Sequence, residues 1–214
     1  TVEDYTRTRN VPPGHWARAW EAVSLLANQK RATYAHPEST VGVGFVIDRD
    51  NWRGVYDGCR LAKEHGADNI RIGAQFSNAE ERLFESFHVE AAALARRAES
   101  LTGQGFTVFN RFSEKLDDLK SKRPDYDSCG YQHFTTYIGA DLNVYRCCVT
   151  AYNDTGLLGS VKSQRFADLW MSQTRLAQMT SFSARTCDRC QFNAQNRVLD
   201  YAMRADEPTH PAFV

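Results

Sequence analysis

Cys129, Cys147, Cys187 and Cys190 are the residues of this 214-residue chain whose type and spacing best suit chemistry. Cys187 and Cys190 form a Cys-x-x-Cys pair, and such a loop aims two thiolates at one point. Cys129 and Cys147 stand just before and at the end of a segment that reads as a hairpin, so the fold can make them neighbours. Four converging thiolates suit a zinc ion or an iron–sulfur centre. They are soft ligands, which disfavours magnesium and calcium. Cys148 adjoins Cys147. Successive side chains of a strand point to opposite faces, so one of the two reaches the metal. Cys147 is the expected ligand; Cys148 is its alternate, or a packing neighbour.

Other readings of the same cysteines compete. A Cys-x-x-Cys redox pair should follow a strand and open a helix, and here Arg185-Thr186 precedes it in no strand pattern. A structural zinc site needs only four thiolates, though zinc ribbons usually bring two Cys-x-x-Cys knuckles and this chain has one. Cys59 falls on the apolar face of a helix and reads as a small core hydrophobe. The six histidines show no catalytic spacing with each other. His133, near the cysteines in sequence, is a proton-donor candidate set against a solvated-loop reading.

Bulk composition narrows the setting. Hydrophobic residues make up 42% of the chain and aromatics 12%, enough for a real core. Twenty-six basic residues balance twenty-six acidic ones, so no charge excess argues for nucleic acid or an anionic membrane as partner. No run approaches the roughly 18–20 apolar residues of a spanning helix. The first residues carry no basic or apolar leader pattern. Clustered cysteines without an export signal suggest a reducing, cytoplasmic setting. The missing initiator Met suggests a processed chain or a fragment.

The elements that must position these residues follow from periodicity. His15 to Arg31 repeats apolar residues at three and four and reads as a helix, with Trp16, Ala19, Trp20, Val23, Leu26 and Ala27 inward. Residues 40–47 are apolar on both parities and read as a strand buried on both faces. Trp52 to His65 is helical and ends at Gly66. Asn69 to Gly73 is a second strand, completing a βαβ unit. Asn78 is expected to cap a long helix reaching Ser100, with Glu80 and Glu81 at its positive end. Gly103 and Gly105 close it, and Phe106 to Phe109 form a third strand. Residues 112–127 read as a charged helix and linker. Beyond it, residues 134–138 and 144–147 flank a turn at 139–143. Gly156 and Gly159 mark a loop, Gln164 to Met179 a helix, and Gln191 to Arg204 a closing helix that packs through Val198, Leu199, Tyr201 and Ala202. The fold class is α/β, with a small α+β domain behind it.

The run Cys129-Gly-Tyr, Ile138-Gly-Ala-Asp-Leu-Asn-Val-Tyr-Arg-Cys147-Cys148, Gly159-Ser-Val, Phe166-Ala-Asp-Leu-Trp170 and Cys187-Asp-Arg-Cys190 resembles the C-terminal extension of radical S-adenosylmethionine enzymes. That extension is the SPASM domain, or the twitch domain in its shortened form; the number of cysteines resembles the twitch form. The resemblance covers about residues 128–204. Leu142 and Ser160 stand where relatives carry Gly and Asn.

The resemblance implies four domain assignments. Residues 1–111 would be the later strands and helices of a partial (β/α) barrel lacking its N-terminal part, with an unpaired strand edge. Residues 112–127 would be a linker, 128–204 the cluster domain and 205–214 a tail. It implies one auxiliary 4Fe-4S cluster on Cys129, Cys147, Cys187 and Cys190, for electron transfer or structural support. Tyr131, Tyr145, Arg146 and Phe192 would shield the cluster and tune its potential. Ile47, Asp48, Asn51 and Arg71, near strand ends, would face cofactor or substrate; alternatively Asn51 caps a helix and Arg71 makes a surface pair. The family's Cys-x-x-x-Cys-x-x-Cys does not occur in this sequence. S-adenosylmethionine and a second 4Fe-4S cluster would belong only to the complete enzyme, and this chain alone should not cleave the cofactor. Expected partners are the missing barrel portion, a flavodoxin- or ferredoxin-like electron donor, and a small-molecule or peptide substrate. The competing function is a zinc-stabilised binding module without catalysis, or a degenerate relative.

Overall fold

The computed structural model describes residues 1–32, 38–76, 84–114, 116 and 123–203. The chain divides into two compact units, Thr1–Asp117 and Asp118–Val214. The architecture is mixed α/β: a parallel three-stranded sheet in the first unit and a small antiparallel sheet in the second.

The first unit opens with helix α1 (Val2–Arg9), which the sequence reading did not include. A capping box starts it: Thr1 Oγ1 accepts the Asp4 amide at 3.2 Å and the Asp4 carboxylate reaches back to Thr1. Helix α2 (Gly14–Ala32) follows. Only Ala27 of α2 is buried, and Leu26 of the expected inward set is exposed. Its contacts are aromatic instead, a chain of rings from Tyr5 through Trp16 and Trp20 to His65.

Strands β1 (Gly42–Ile47), β2 (Asn69–Ala74) and β3 (Thr107–Asn110) lie parallel in that order. Helix α3 (Val55–Glu64) connects β1 to β2, and α4 (His88–Glu99) precedes β3. Ile47, Ile70 and Ile72 of the sheet, Val55, Cys59 and Ala62 of α3, and Ala91, Ala95 and Ala98 of α4 are all buried, with α3 packed on β1, β2 and α4, and α4 on β3. Gly66, at φ +82°, ends α3 with the paired bonds of a Schellman motif, Ala67 N to Ala62 O and Gly66 N to Lys63 O.

Two expectations about this unit fail. β1 is buried on one face, not two. It is an edge strand, and Val46 (52% exposed) lies with Phe109 (47%) and Arg71 on the uncovered side of the sheet. The sheet is open, with β1 and β3 at its edges among the described residues, and no barrel closes. Among the described residues, the long helix expected up to Ser100 runs only from His88 to Glu99. Residues 84–87 form a turn because Phe84 and Phe87 pack inward, on Phe112 and on Trp52 respectively. Asn78, Glu80 and Glu81 lie outside the described residues, as do most of residues 115–122 and the tail.

In the second unit, β4 (Tyr137–Ile138) and β5 (Asn143–Tyr145) form the expected hairpin, shortened. The segment read as a glycine loop is in fact a third strand, β6 (Leu157–Ser160), paired antiparallel with β5. Gly159, at φ +155°, gives β6 a backbone course that side chains resist, and a Cβ there would strike Leu169. Val144, Leu158 and Leu169 build the local core. The helix expected over 164–179 is broken into α5 (Phe166–Trp170) and α6 (Gln173–Thr180). Ser172, extended between them, caps α6 by accepting the Arg175 amide at 3.1 Å. Helix α7 (Asn193–Met203) reverses its expected packing: Val198 and Tyr201 are each 68% exposed, while Asn193 and Asn196 are buried. Polar bonds win that face, as the site makes clear.

Candidate metal centre

Local chain geometry delivers the cysteines. Cys129 leads into the 3₁₀ turn Gly130–His133. Cys147 is extended, just past β5, where Arg146 N still bonds Gly156 O at 2.7 Å. Cys187 ends the turn Ala184–Thr186, and Cys190 lies before α7. All are free thiols; Cys129, Cys147 and Cys187 are half-buried and Cys190 is buried.

The thiols are close enough to feel one another. Burial pushes the Cys187 thiol up to about 12, and the neighbouring charges of Cys147, Cys190 and Cys129 add to it while Arg146 opposes. Burial raises Cys129 as well, a Gln132 amide donor opposes, and Cys190 and Cys147 push it further. Burial likewise raises Cys190, against the Tyr126 hydroxyl, the Phe192 amide and the Asn196 side chain, which all favour its thiolate. Among the described residues, however, no three His, Cys, Asp or Glu side chains gather tightly enough to hold a single metal ion.

Cys148 stands apart. It opens the next 3₁₀ turn, is exposed, accepts a hydrogen bond from Gln191 and lies near Tyr137. Cys147 Sγ instead meets Thr150 Oγ1 at 3.5 Å.

A polar shell surrounds the sulfurs. Phe192 N donates to Cys190 Sγ at 3.3 Å, and its ring stacks on Tyr131 with centroids 4.4 Å apart. The buried Asn196 donates to Cys190 Sγ and accepts Tyr131 N at 2.9 Å. Tyr126 hydroxyl bonds Asn193 Oδ1 at 2.9 Å. Arg146 is 4% exposed, bonds Gln132 Oε1 and lies 4.0 Å from the Phe182 ring centre. Tyr145 is turned elsewhere, donating to Asp141 Oδ2 at 2.6 Å. Sequence reasoning missed Tyr126, Gln132, Asn193 and Asn196. Asn193-x-x-Asn196 was the available signal, two amides on one helix face where an apolar stripe was expected.

A cavity of about 420 Å³ opens beside Cys129, lined also by Gln132, His133, Phe182 and Ser183. Burial lowers the His133 pKa, and the nearby Arg175 lowers it further.

The first-unit candidates do not share this geometry. Asn51 is committed to its own loop: its side chain donates to Val46 O at 2.8 Å and accepts Asp48 N at 2.9 Å. Asp48 accepts the amides of Asp50 and Asn51, and Ile47 is fully buried. Arg71 is exposed, and its side chain makes no hydrogen bond or ion pair among the described residues.

Residues 129–191 match the family model of SPASM, an iron–sulfur cluster-binding domain. The matched segment begins on Cys129 and contains all four thiols of the centre. No curated protein matches the chain, and no solved structure does.

Proposed function

We propose that Cys129, Cys147, Cys187 and Cys190 hold one 4Fe-4S cluster, and that this chain is the C-terminal part of a radical S-adenosylmethionine enzyme. The observation that carries the reading is that the SPASM match contains all four cysteines, with Cys190 held in a polar shell of Phe192, Asn196 and Tyr126. The SPASM match favours a cluster over zinc, and zinc ribbons usually bring two Cys-x-x-Cys knuckles where this chain has one.

When bound, the cluster supplies one-electron chemistry. Four cysteine ligands leave no iron open, so electron transfer or structural support fits better than substrate ligation. The residues do the rest. Burial of the thiols favours loading under conditions that remove their protons. Tyr131 and Phe192 cover one side, and donors to Cys190 stabilise its thiolate.

The first unit fits the later part of a partial (β/α) barrel: parallel strands, helices on one face, and an uncovered face carrying Arg71. In this reading the uncovered face belongs to the barrel interior, and Asn51 fixes the β1–α3 turn. The remaining barrel portion, an electron donor of the flavodoxin or ferredoxin kind, and a small-molecule or peptide substrate would complete the system.

Anaerobic reconstitution with iron and sulfide tests the proposal. About four iron and four sulfide per chain, with thiolate-to-iron charge-transfer absorbance, is the expected outcome. One zinc and no sulfide in protein purified without oxygen would replace it with the binding-module reading.

A further inference from the structure

We propose that Arg146 is the counter-charge of the cluster, a permanent cation fixed beside the thiols that favours the reduced state. The inference rests on the cluster reading above and adds what sets the cluster's potential.

Arg146 is buried and forms no ion pair among the described residues. Its Nη1 donates to Gln132 Oε1 and its Nη2 to Gln178 O at 3.3 Å; the face of Phe182 covers it, and Nε has no partner. The carboxylates described nearby in sequence are committed at the surface, Asp125 with Arg197, Asp127 with Arg185 and Asp188 with Arg123. A guanidinium stays protonated, and burying one without a counter-ion is costly. Something anionic is therefore expected within reach.

Among the described residues, the groups beside it that become anionic when a cluster is bound are the cysteine sulfurs. Arg146 immediately precedes Cys147. Its partner Gln132 donates its amide to Cys129, and Phe182 lines the same cavity as Cys129 and Gln132. The charges of Cys129, Cys147 and Cys187 all act on the guanidinium. A cluster on four thiolates carries net negative charge, and reduction adds one more. A fixed cation in a low-dielectric surrounding stabilises the more negative state and raises the potential. Gln132 and Phe182 hold the guanidinium in place: the amide oxygen takes one arm while its Nε2 donates to Met179 O at 3.1 Å, and the ring blocks solvent.

The test is a potentiometric titration of the reconstituted full chain, followed by electron paramagnetic resonance of the reduced cluster. Arg146→Met should lower the reduced-to-oxidised ratio at fixed potential at least tenfold, about 59 mV for a one-electron couple. Arg146→Lys, which keeps the charge and loses the fork, should stay within about threefold. Arg175→Met is the control, a second buried arginine with no thiol among the groups that shift it. An unchanged potential in Arg146→Met, with cluster bound, overturns the inference and leaves the cluster reading standing. Wild-type chain that takes up no iron overturns both. Should the Met variant fail to load, Arg146→Gln takes its place. If the neutral variants stay empty while Lys loads, the charge is required and the inference holds; if Lys is empty as well, Arg146 acts through shape and the inference falls.

Discussion

Asn196 Nδ2 stands 3.7 Å from Cys190 Sγ while its Oδ1 accepts the Tyr131 amide at 2.9 Å, so one buried side chain ties helix α7 to both ends of the thiol group. Its amide also favours the thiolate of Cys129. Asn196→Leu removes the acceptor of a backbone N–H and a donor to two sulfurs at once. An unsatisfied buried group costs about 1–3 kcal/mol. We expect the variant's unfolding free energy from urea titration to fall by that much and its iron content to drop; a variant as stable and as iron-rich as wild type would refute the bridging role.

Cys147 and Cys148 should behave differently under the same substitution. Cys147→Ser removes a proposed ligand and should abolish the charge-transfer absorbance after reconstitution. Cys148→Ser acts on an exposed thiol held by Gln191 and should keep it. Iron and sulfide assays on the two variants decide, and the opposite pattern would exchange their roles.

Gly156 is irreplaceable for a local reason. A Cβ there would collide with the Thr150 carbonyl and lie 2.6 Å from Thr150 Cβ. Thr150 belongs to the turn immediately after Cys147, and Gly156 O anchors Arg146 N. Gly156→Ala must displace one or the other. Overpacking of this kind costs about 1–3 kcal/mol, read as a lower denaturation midpoint accompanied by weaker iron uptake.

Leu142 adopts φ +60° in the hairpin turn, a conformation that costs a side-chain-bearing residue roughly 1–2 kcal/mol. It is half exposed, so little packing is lost on truncation. Leu142→Gly relieves the strain but adds about 0.5–1 kcal/mol of chain entropy to be lost on folding. The expected net effect is stabilisation of up to ~1 kcal/mol, seen as a higher midpoint at unchanged m-value.

Cys59 gives the first unit an alkaline limit. Burial pushes its thiol from 9.0 up to about 12. The folded chain keeps the proton that the unfolded chain releases above its ordinary value. Its contribution to stability is therefore complete below about pH 9 and is lost as pH rises toward 12. Cys59→Ala should flatten that decline in thermal unfolding followed from pH 8 to pH 11, whatever its cost at neutral pH.

Residue types and their order along the chain were enough to single out the four cysteines, the βαβ order and the hairpin. Each rests on local information: a two-residue gap between thiols, short apolar runs, and glycines such as Gly66 where the chain must turn left-handed. The sequence reading left α1 out, although Thr1 and Asp4 form its capping box. Which faces are covered became visible only in the folded chain. Burial depends on what a distant segment places opposite, so β1 became an edge strand and α5–α6 broke at Ser172. The same reason explains α7. Val198 and Tyr201 look like core in a helical pattern, yet Asn193 and Asn196 turn inward because Tyr126, Tyr131 and the thiols offer them hydrogen bonds. The candidate cysteines were written in residue type; the polar shell and the buried charge of Arg146 exist only once the chain has closed around them.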